Sequence, residues 1–306
     1  MVNVDDTPLA NLLLSQHQVD RAIRYRDDEK WLAKRWSDPE TAVLLVADGR
    51  VPVDPGPRLG WRSPSDDAVG ELYLLGVDAM GRAHFALRVD SLPADQSSAD
   101  LRQLAGVLPA DQTALLVHAV ALANWHATHQ FCPRCGAPTQ VEQSGAERRC
   151  ATDGSSHFPR IDPAVIVLVT DPLDRALLGR QDSWPAGRFS TLAGFVEPGE
   201  SAEQAVAREV LEESGLSVHD IRYAGAQPWP FPASLMLGYF ATSDPGSPVA
   251  DGVELAEVRW FTRADLAAGI QSGDVIAPSG ISIARRLVER WYGEPFPSAP
   301  PGVGWR

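Results

Sequence analysis

Gly194-Phe195-Val196-Glu197-Pro198-Gly199-Glu200-Ser201-Ala202-Glu203-Gln204-Ala205-Val206-Ala207-Arg208-Glu209-Val210-Leu211-Glu212-Glu213-Ser214-Gly215-Leu216 is the stretch on which the reading of this chain turns. Ser201 followed by Gln204 has capping-box spacing, so a helix is predicted to begin at 201. Ala202, Ala205, Val206, Ala207 and Leu211 favour a helix and give it an apolar stripe. Gly215 stands where a left-handed residue would stop it. Glu209, Glu212 and Glu213 are related by i+3 and i+4, which places three carboxylates on one face. Left alone they repel one another. Arg208 and a hard divalent cation, Mg2+ or Mn2+, are the partners that would hold them. Gly194, Pro198 and Gly199 let the preceding loop fold back over the helix start, where Glu200 would pair with Arg208 and pin it. Most acidic helix faces are simply solvated, so the weight rests on the whole arrangement.

That arrangement is G, five residues, E, seven residues, then R-E-U-x-E-E-x-G-U with U aliphatic, and every specified position agrees. Average composition would produce it in a chain of this length with odds on the order of 10⁻⁷. It resembles the Nudix box. The resemblance implies a Nudix hydrolase in which Glu209, Glu212 and Glu213 are metal and catalytic carboxylates. Arg208 and Glu200 would be its structural ion pair, and the backbone carbonyl of Ala193 a further metal ligand. The chemistry fits these residues. A pyrophosphate carries charge that repels a nucleophilic water; a divalent cation neutralises it and makes the water easier to deprotonate. A neighbouring glutamate accepts the proton, and the sequence leaves open which one.

Downstream, Ala226-Gln227-Pro228-Trp229-Pro230-Phe231-Pro232-Ala233-Ser234 alternates prolines with aromatics. Such a segment is predicted to be stiff and extended, with its rings held outward for stacking on a flat base; the plainer reading is a proline-rich connector with rings in the core. The segment is similar to the SQPWPFPxS array of the NADH pyrophosphatases, with Ala226 in place of the leading Ser. This resemblance implies Gln227, Trp229 and Ser234 as dinucleotide contacts, with Phe158 and Phe195 stacking on rings. It also implies Glu254 as an additional metal-binding residue and Ala284 as a backbone contact in the C-terminal helix. No GxGxxG fingerprint follows a strand, so NAD is expected as a substrate and not as a hydride carrier.

Cys132-Pro133-Arg134-Cys135 has zinc-knuckle spacing, and Cys150 follows later. Related enzymes carry a four-cysteine ribbon; here the fourth ribbon position is Asp153, with His157 nearby as another candidate. Zinc accepts either, so a Cys132, Cys135, Cys150, Asp153 site is expected if the metal is bound, and a ribbon that holds by packing if it is not. A segment of this size rarely builds its own core, so it needs a metal or a neighbour.

The remaining features bound the function. With 306 residues, two or more domains are expected. The reading divides the chain into an N-terminal domain at 1–129, a ribbon-like segment at 130–160 and a Nudix domain at 161–306. Runs at 41–47, 71–77 and 83–89 read as strands of a small antiparallel sheet, closed by a helix at 109–129. Strands are predicted at 164–170, 176–179, 235–242 and 258–261, helices at 263–268 and 283–291, and an irregular tail at 295–306. Strands and helices without strict βαβ alternation give an α+β fold class, and the Nudix resemblance implies a mixed sheet between helices in the C-terminal part. Trp31 and Trp36 read as packing residues. A net charge of −13 disfavours broad nucleic-acid binding and anionic membranes. No signal peptide or membrane span is seen, so a cytoplasmic protein is expected. Family resemblance alone implies a homodimer. The expected activity is metal-dependent cleavage of NAD(H) to nicotinamide mononucleotide and AMP, extending to NAD-capped RNA 5′ ends. The alternatives are a Nudix hydrolase of ADP-ribose or a dinucleoside polyphosphate, and a non-catalytic dinucleotide sensor.

Overall fold

The computed structural model describes residues 7–15 and 19–296. The part of the tail from 297 onward, and the first six residues, lie outside the described residues. The chain divides into two units: Leu13–Ile161 with Pro228–Ala233, and Asp162–Gln227 with Ser234–Arg306 and Met1–Leu12.

In the first unit, α1 (Glu29–Trp36) is followed by β1 (Ala42–Val46), β2 (Arg50–Asp54), β3 (Arg58–Leu59), β4 (Glu71–Val77), β5 (Ala83–Arg88) and β6 (Ser98–Asp100), then by α2 (Leu101–Leu104) and α3 (Ala110–Thr128). β5 lies between β1 and β4. It runs antiparallel to β4 but parallel to β1, which corrects the antiparallel sheet expected from sequence. The reason is topological. β5 turns back tightly from β4, whereas β1 reaches the sheet through the long excursion of β2 and β3. Alternate residues Val43, Leu45, Leu74, Phe85 and Leu87 make the core, with Trp31 and Trp36 packed on it. Trp36 meets Phe85 edge-on, with centroids 5.9 Å apart, so these indoles serve packing.

The ribbon segment of the same unit comprises β7 (Thr139–Glu142), β8 (Glu147–Cys150) and β9 (Ser156–His157), an antiparallel sheet. It has few apolar residues and is tied to its neighbour by a buried cation. Arg148 pairs with Glu71 of β4 at 3.1 Å and donates to His126 Nδ1 of α3 at 2.9 Å. Arg148 Nε and Nη2 donate to Thr139 Oγ1 and O, so each nitrogen of the buried guanidinium has a partner, and Glu71 also pairs with Arg88 and accepts a hydrogen bond from the Tyr73 hydroxyl.

In the second unit, β10 (Asp162–Thr170), β11 (Ala176–Arg180) and β12 (Leu192–Phe195) lead to α4 (Ala202–Ser214), followed by β13 (Val218–Trp229), β14 (Ser234–Ser243), β15 (Glu257–Phe261), α5 (Arg263–Ser272) and α6 (Ile283–Tyr292). The sheet order is β13-β14-β10-β11-β15, with β12 also paired to β10. β10 is parallel to β14 and antiparallel to β11 and β12, so the sheet is mixed. The continuous apolar run of β10 has a direct cause. Val165, Val167 and Val169 pack with Ala205, Val206 and Val210 of α4, whereas Ile166 and Leu168 pack with Leu287, Val288 and Trp291 of α6. Both faces of the strand are buried, so it does not alternate with polar residues. A sheet between helices is the α+β sandwich expected for this part of the chain.

Candidate active site

α4 begins with a complete capping box: Ser201 Oγ accepts from Gln204 N, and the Gln204 side chain accepts from Ser201 N. It ends at Gly215, whose φ of 70° is left-handed. Arg208 organises everything before it. Its guanidinium bonds Glu200 at 2.6 Å, Glu209 at 2.9 Å, Glu212 at 3.1 Å and the Phe195 carbonyl at 2.9 Å. Glu200 also accepts from Glu197 N, so the loop is closed over the helix start. These bonds hold the Glu200 carboxyl below its usual range, the Arg208 contact being the largest cause.

The three glutamates do not share one face, which corrects the sequence reading. Glu209 and Glu213 are buried, at 8% and 4% exposure, whereas the Glu212 side chain is 61% exposed. One residue on a helix turns roughly 100°, so Glu212 and Glu213 diverge while the i, i+4 pair converges. The Glu209 carboxylate lies directly over Gly194: a β-carbon there would overlap it. Only glycine lets β12 and the carboxylate approach this closely.

Burial pushes the Glu213 carboxyl up to about 8, reinforced by the negative charges of Glu209, Glu254 and Asp251; a backbone hydrogen bond from Ala193 pulls the other way. Glu209 is raised as well, first by burial and against the pull of Arg208. Glu213 Oε2 is buried with no hydrogen-bond partner. A buried, partnerless oxygen among carboxylates beside the Ala193 backbone is the donor set of a hard divalent cation. Asp251 is a residue that sequence reading missed. It accepts from the backbone of Glu254 and Leu255, so it shapes the turn that carries Glu254. Its signal was the Asp251-Gly252 turn pair just ahead of that glutamate.

The other expected contacts are placed as follows. Phe195, closing β12, is 59% exposed, and Phe158, beyond β9 in the first unit, is 67% exposed. Ser234 opens β14 opposite Asp162. Gln227 is fully buried, and its amide donates to the Ile281 carbonyl at 2.9 Å. Its side chain braces the loop before α6, while its Oε1 is buried without a hydrogen-bond partner. Ala284 is buried, and its N–H donates to Ser282 Oγ in the cap of α6. The 226–234 segment is not extended throughout. β13 continues to Trp229, and a turn then leads into β14. Trp229 and Phe231 face each other edge-on with centroids 5.0 Å apart.

In the ribbon, Cys132, Cys135, Cys150 and Asp153 bring one donor atom each within 4.8 Å of the others. Cys135 Sγ lies 3.5 Å from Cys150 Sγ, and Cys132 Sγ lies 3.7 Å from Asp153 Oδ2. Tetrahedral zinc with bonds of about 2.0–2.3 Å needs donor separations of roughly 3.5–3.8 Å, so this set fits a structural Zn2+. The Arg134 and Asp153 amides donate to Cys132 and Cys150 sulfurs, as thiolate ligands require. A hydrogen bond with Ser155 is the main cause that lowers the Cys132 thiol to about 6. His157 lies against Ser155 Oγ at 3.1 Å and is not in the cluster.

Comparison with known proteins agrees with this layout. Residues 160–277 match the NUDIX domain, 127–158 the NADH pyrophosphatase zinc ribbon domain, and 11–125 the NADH pyrophosphatase-like rudimentary NUDIX domain. The chain is 42% identical over 304 residues to the NAD-capped RNA hydrolase NudC of Mycobacterium tuberculosis, covering 91% of this chain and 94% of that one. It is 37% identical over 243 residues to the human NAD-capped RNA hydrolase NUDT12, covering 74% of this chain and 51% of that protein. Among solved structures, a NUDIX hydrolase from Nitrosomonas europaea is 23% identical and covers 56% of this chain and 97% of that one, with a TM-score of 0.43. With its Nudix box on α4, its zinc-ribbon cysteines and a rudimentary Nudix domain ahead of them, the chain belongs to the Nudix hydrolases, in the NADH pyrophosphatase family.

Proposed function

We propose that this protein hydrolyses the pyrophosphate of NAD(H) to nicotinamide mononucleotide and AMP, and removes NAD caps from RNA 5′ ends. The observation that carries this is the buried pair Glu209 and Glu213 beneath an intact Nudix box, in a chain 42% identical to a NAD-capped RNA hydrolase. Glu209, Glu213, Glu254 and the Ala193 backbone would hold Mg2+ or Mn2+, the ions Nudix enzymes use. A divalent cation bound there neutralises pyrophosphate charge and acidifies the attacking water.

The chain's own residues do the rest. Arg208 cancels part of the charge of Glu209 and Glu212 and holds the Glu200 loop shut, which keeps the carboxylates oriented. Burial raises the Glu213 carboxyl to about 8 in the metal-free site; a bound cation would favour its ionised form, which can serve as a ligand or accept a proton. Exposed Phe158 and Phe195 present rings for stacking, and Trp229 supplies a further aromatic surface. The roles of Phe158, Phe195, Gln227, Trp229, Ser234 and Ala284 toward the dinucleotide, and the segment boundaries 1–129, 130–160 and 161–306, belong to this proposal. So do a homodimeric state and a cytoplasmic location. Among the described residues no helix is long and apolar enough to cross a membrane.

The test is a product assay. NADH with Mg2+ or Mn2+ should give stoichiometric AMP and reduced nicotinamide mononucleotide. A short NAD-capped RNA should give a 5′-monophosphate end. Faster turnover of ADP-ribose than of NADH would assign a different Nudix substrate.

A further inference from the structure

The turn Pro228–Ala233 joins two strands of the second unit, yet it packs as part of the first. Two side chains of that unit account for this. Asn124, on α3, donates through Nδ2 to the Pro230 carbonyl at 3.0 Å and to the Pro232 carbonyl at 3.3 Å. The two acceptors flank Phe231, so one amide fixes the main chain on both sides of that ring. Arg102, on α2, sets its guanidinium carbon 3.8 Å from the Phe231 ring centroid and 5.1 Å from that of Trp229. Both distances lie within cation–π range. The prolines at 228, 230 and 232 contribute no amide protons, so the turn has few bonds with which to hold itself. The rings are half-buried and keep the 71° edge-on arrangement under this one cation.

We propose that Arg102 and Asn124 are positioning residues for substrate recognition, holding the Trp229–Phe231 turn in the shape in which its rings meet the dinucleotide. The rudimentary Nudix domain then has a task in the reaction: it shapes the aromatic wall. The proposal rests on the reading of that turn as a base-stacking surface.

The experiment measures NADH hydrolysis by the full-length protein and by Arg102→Met, Arg102→Lys, Asn124→Ala, Trp229→Ala and the double variant Arg102→Met/Trp229→Ala. Arg102→Met keeps the aliphatic stem and removes the cation. It should raise KM about 5-fold, the size of a cation–π contact at a partly exposed site, with a smaller change in kcat. Arg102→Lys should recover most of that loss. Asn124→Ala should also raise KM more than it lowers kcat. In the Trp229→Ala background Arg102→Met should add less than in the wild-type background, because one of the two rings it orders is gone. Arg102 is exposed, so its variants keep the test open if Asn124→Ala does not fold. The proposal is overturned if Trp229→Ala raises KM while Arg102→Met and Asn124→Ala do not. It is also overturned if Arg102→Met has the same effect in both backgrounds. A Trp229→Ala variant with unchanged KM would instead remove the base-stacking reading, and the proposal with it.

Discussion

Gly194→Ala is a one-methyl test of how the active site is built. The new β-carbon would overlap the Glu209 carboxylate carbon. Ordinary carbon–carbon contact needs about 3.5 Å, so the carboxylate must move by more than about 1 Å to clear it. The obstacle is the end of a flexible side chain and the backbone at Gly194 is ordinary β structure, so the strand itself is not strained. The fold should survive, with Tm changed by no more than a few degrees. Catalysis should not: a shift of that size in a group proposed to hold the cation should cost on the order of 10²-fold in kcat, equivalent to about 2.7 kcal/mol of barrier. The assay pairs NADH turnover at saturating Mn2+ with thermal melts, and adds Mn2+ titration of the free enzyme, where affinity should weaken. A well-folded Gly194→Ala protein with near-normal kcat and Mn2+ affinity would refute the claim that the close approach of Glu209 to this backbone shapes the site.

Further outcomes are expected. Glu213→Gln should keep the fold and lose 10²-fold or more in kcat, and near-normal turnover in it would sink the assignment of Glu213. In chelator-treated protein, Glu213 keeps a proton that the unfolded chain sheds above its ordinary 4.5. Its contribution to stability is therefore fully present below about pH 4.5 and is lost as pH rises toward about 8, by up to ~1.4 kcal/mol per pH unit. Denaturant melts of wild type against Glu213→Gln should show that slope in the former and not in the latter; parallel curves would contradict the burial of a lone carboxyl there. Elemental analysis should find close to one zinc per chain, with Cys135→Ser and Asp153→Ala each releasing it; fully active, zinc-free protein would show that the ribbon stands without metal. Trp229→Ala should raise KM for NADH roughly 10-fold, as stacking worth 1–3 kcal/mol implies; a destabilised protein with unchanged KM would mean the ring only packs.

What the sequence determined by itself were the features written in local spacing. The capping box at Ser201 and Gln204, the stop at Gly215, the carboxylate repeat of the Nudix box and the Cys132/Cys135 knuckle each depend on residues a few positions apart, whose backbone geometry relates them directly. The apolar run of β10 was legible for the same reason, since a strand covered on both faces has only one residue class to use. Tertiary structure decided whatever depends on which segments meet. The parallel pairing of β1 with β5 follows from the excursion between them and has no signature in either strand. The outward turn of Glu212 and the inward turn of Glu213 were set by which side of α4 met β12, because helical spacing alone leaves the buried face free to rotate. Asp251 entered the site through a turn far along the chain from the box. The burial of Gln227, whose Nε2 donates to the Ile281 carbonyl, was likewise decided by a segment distant in the chain. Arg102 and Asn124 carry no motif at all; only folding brings a four-residue helix and the end of α3 to one proline-rich turn more than a hundred residues away.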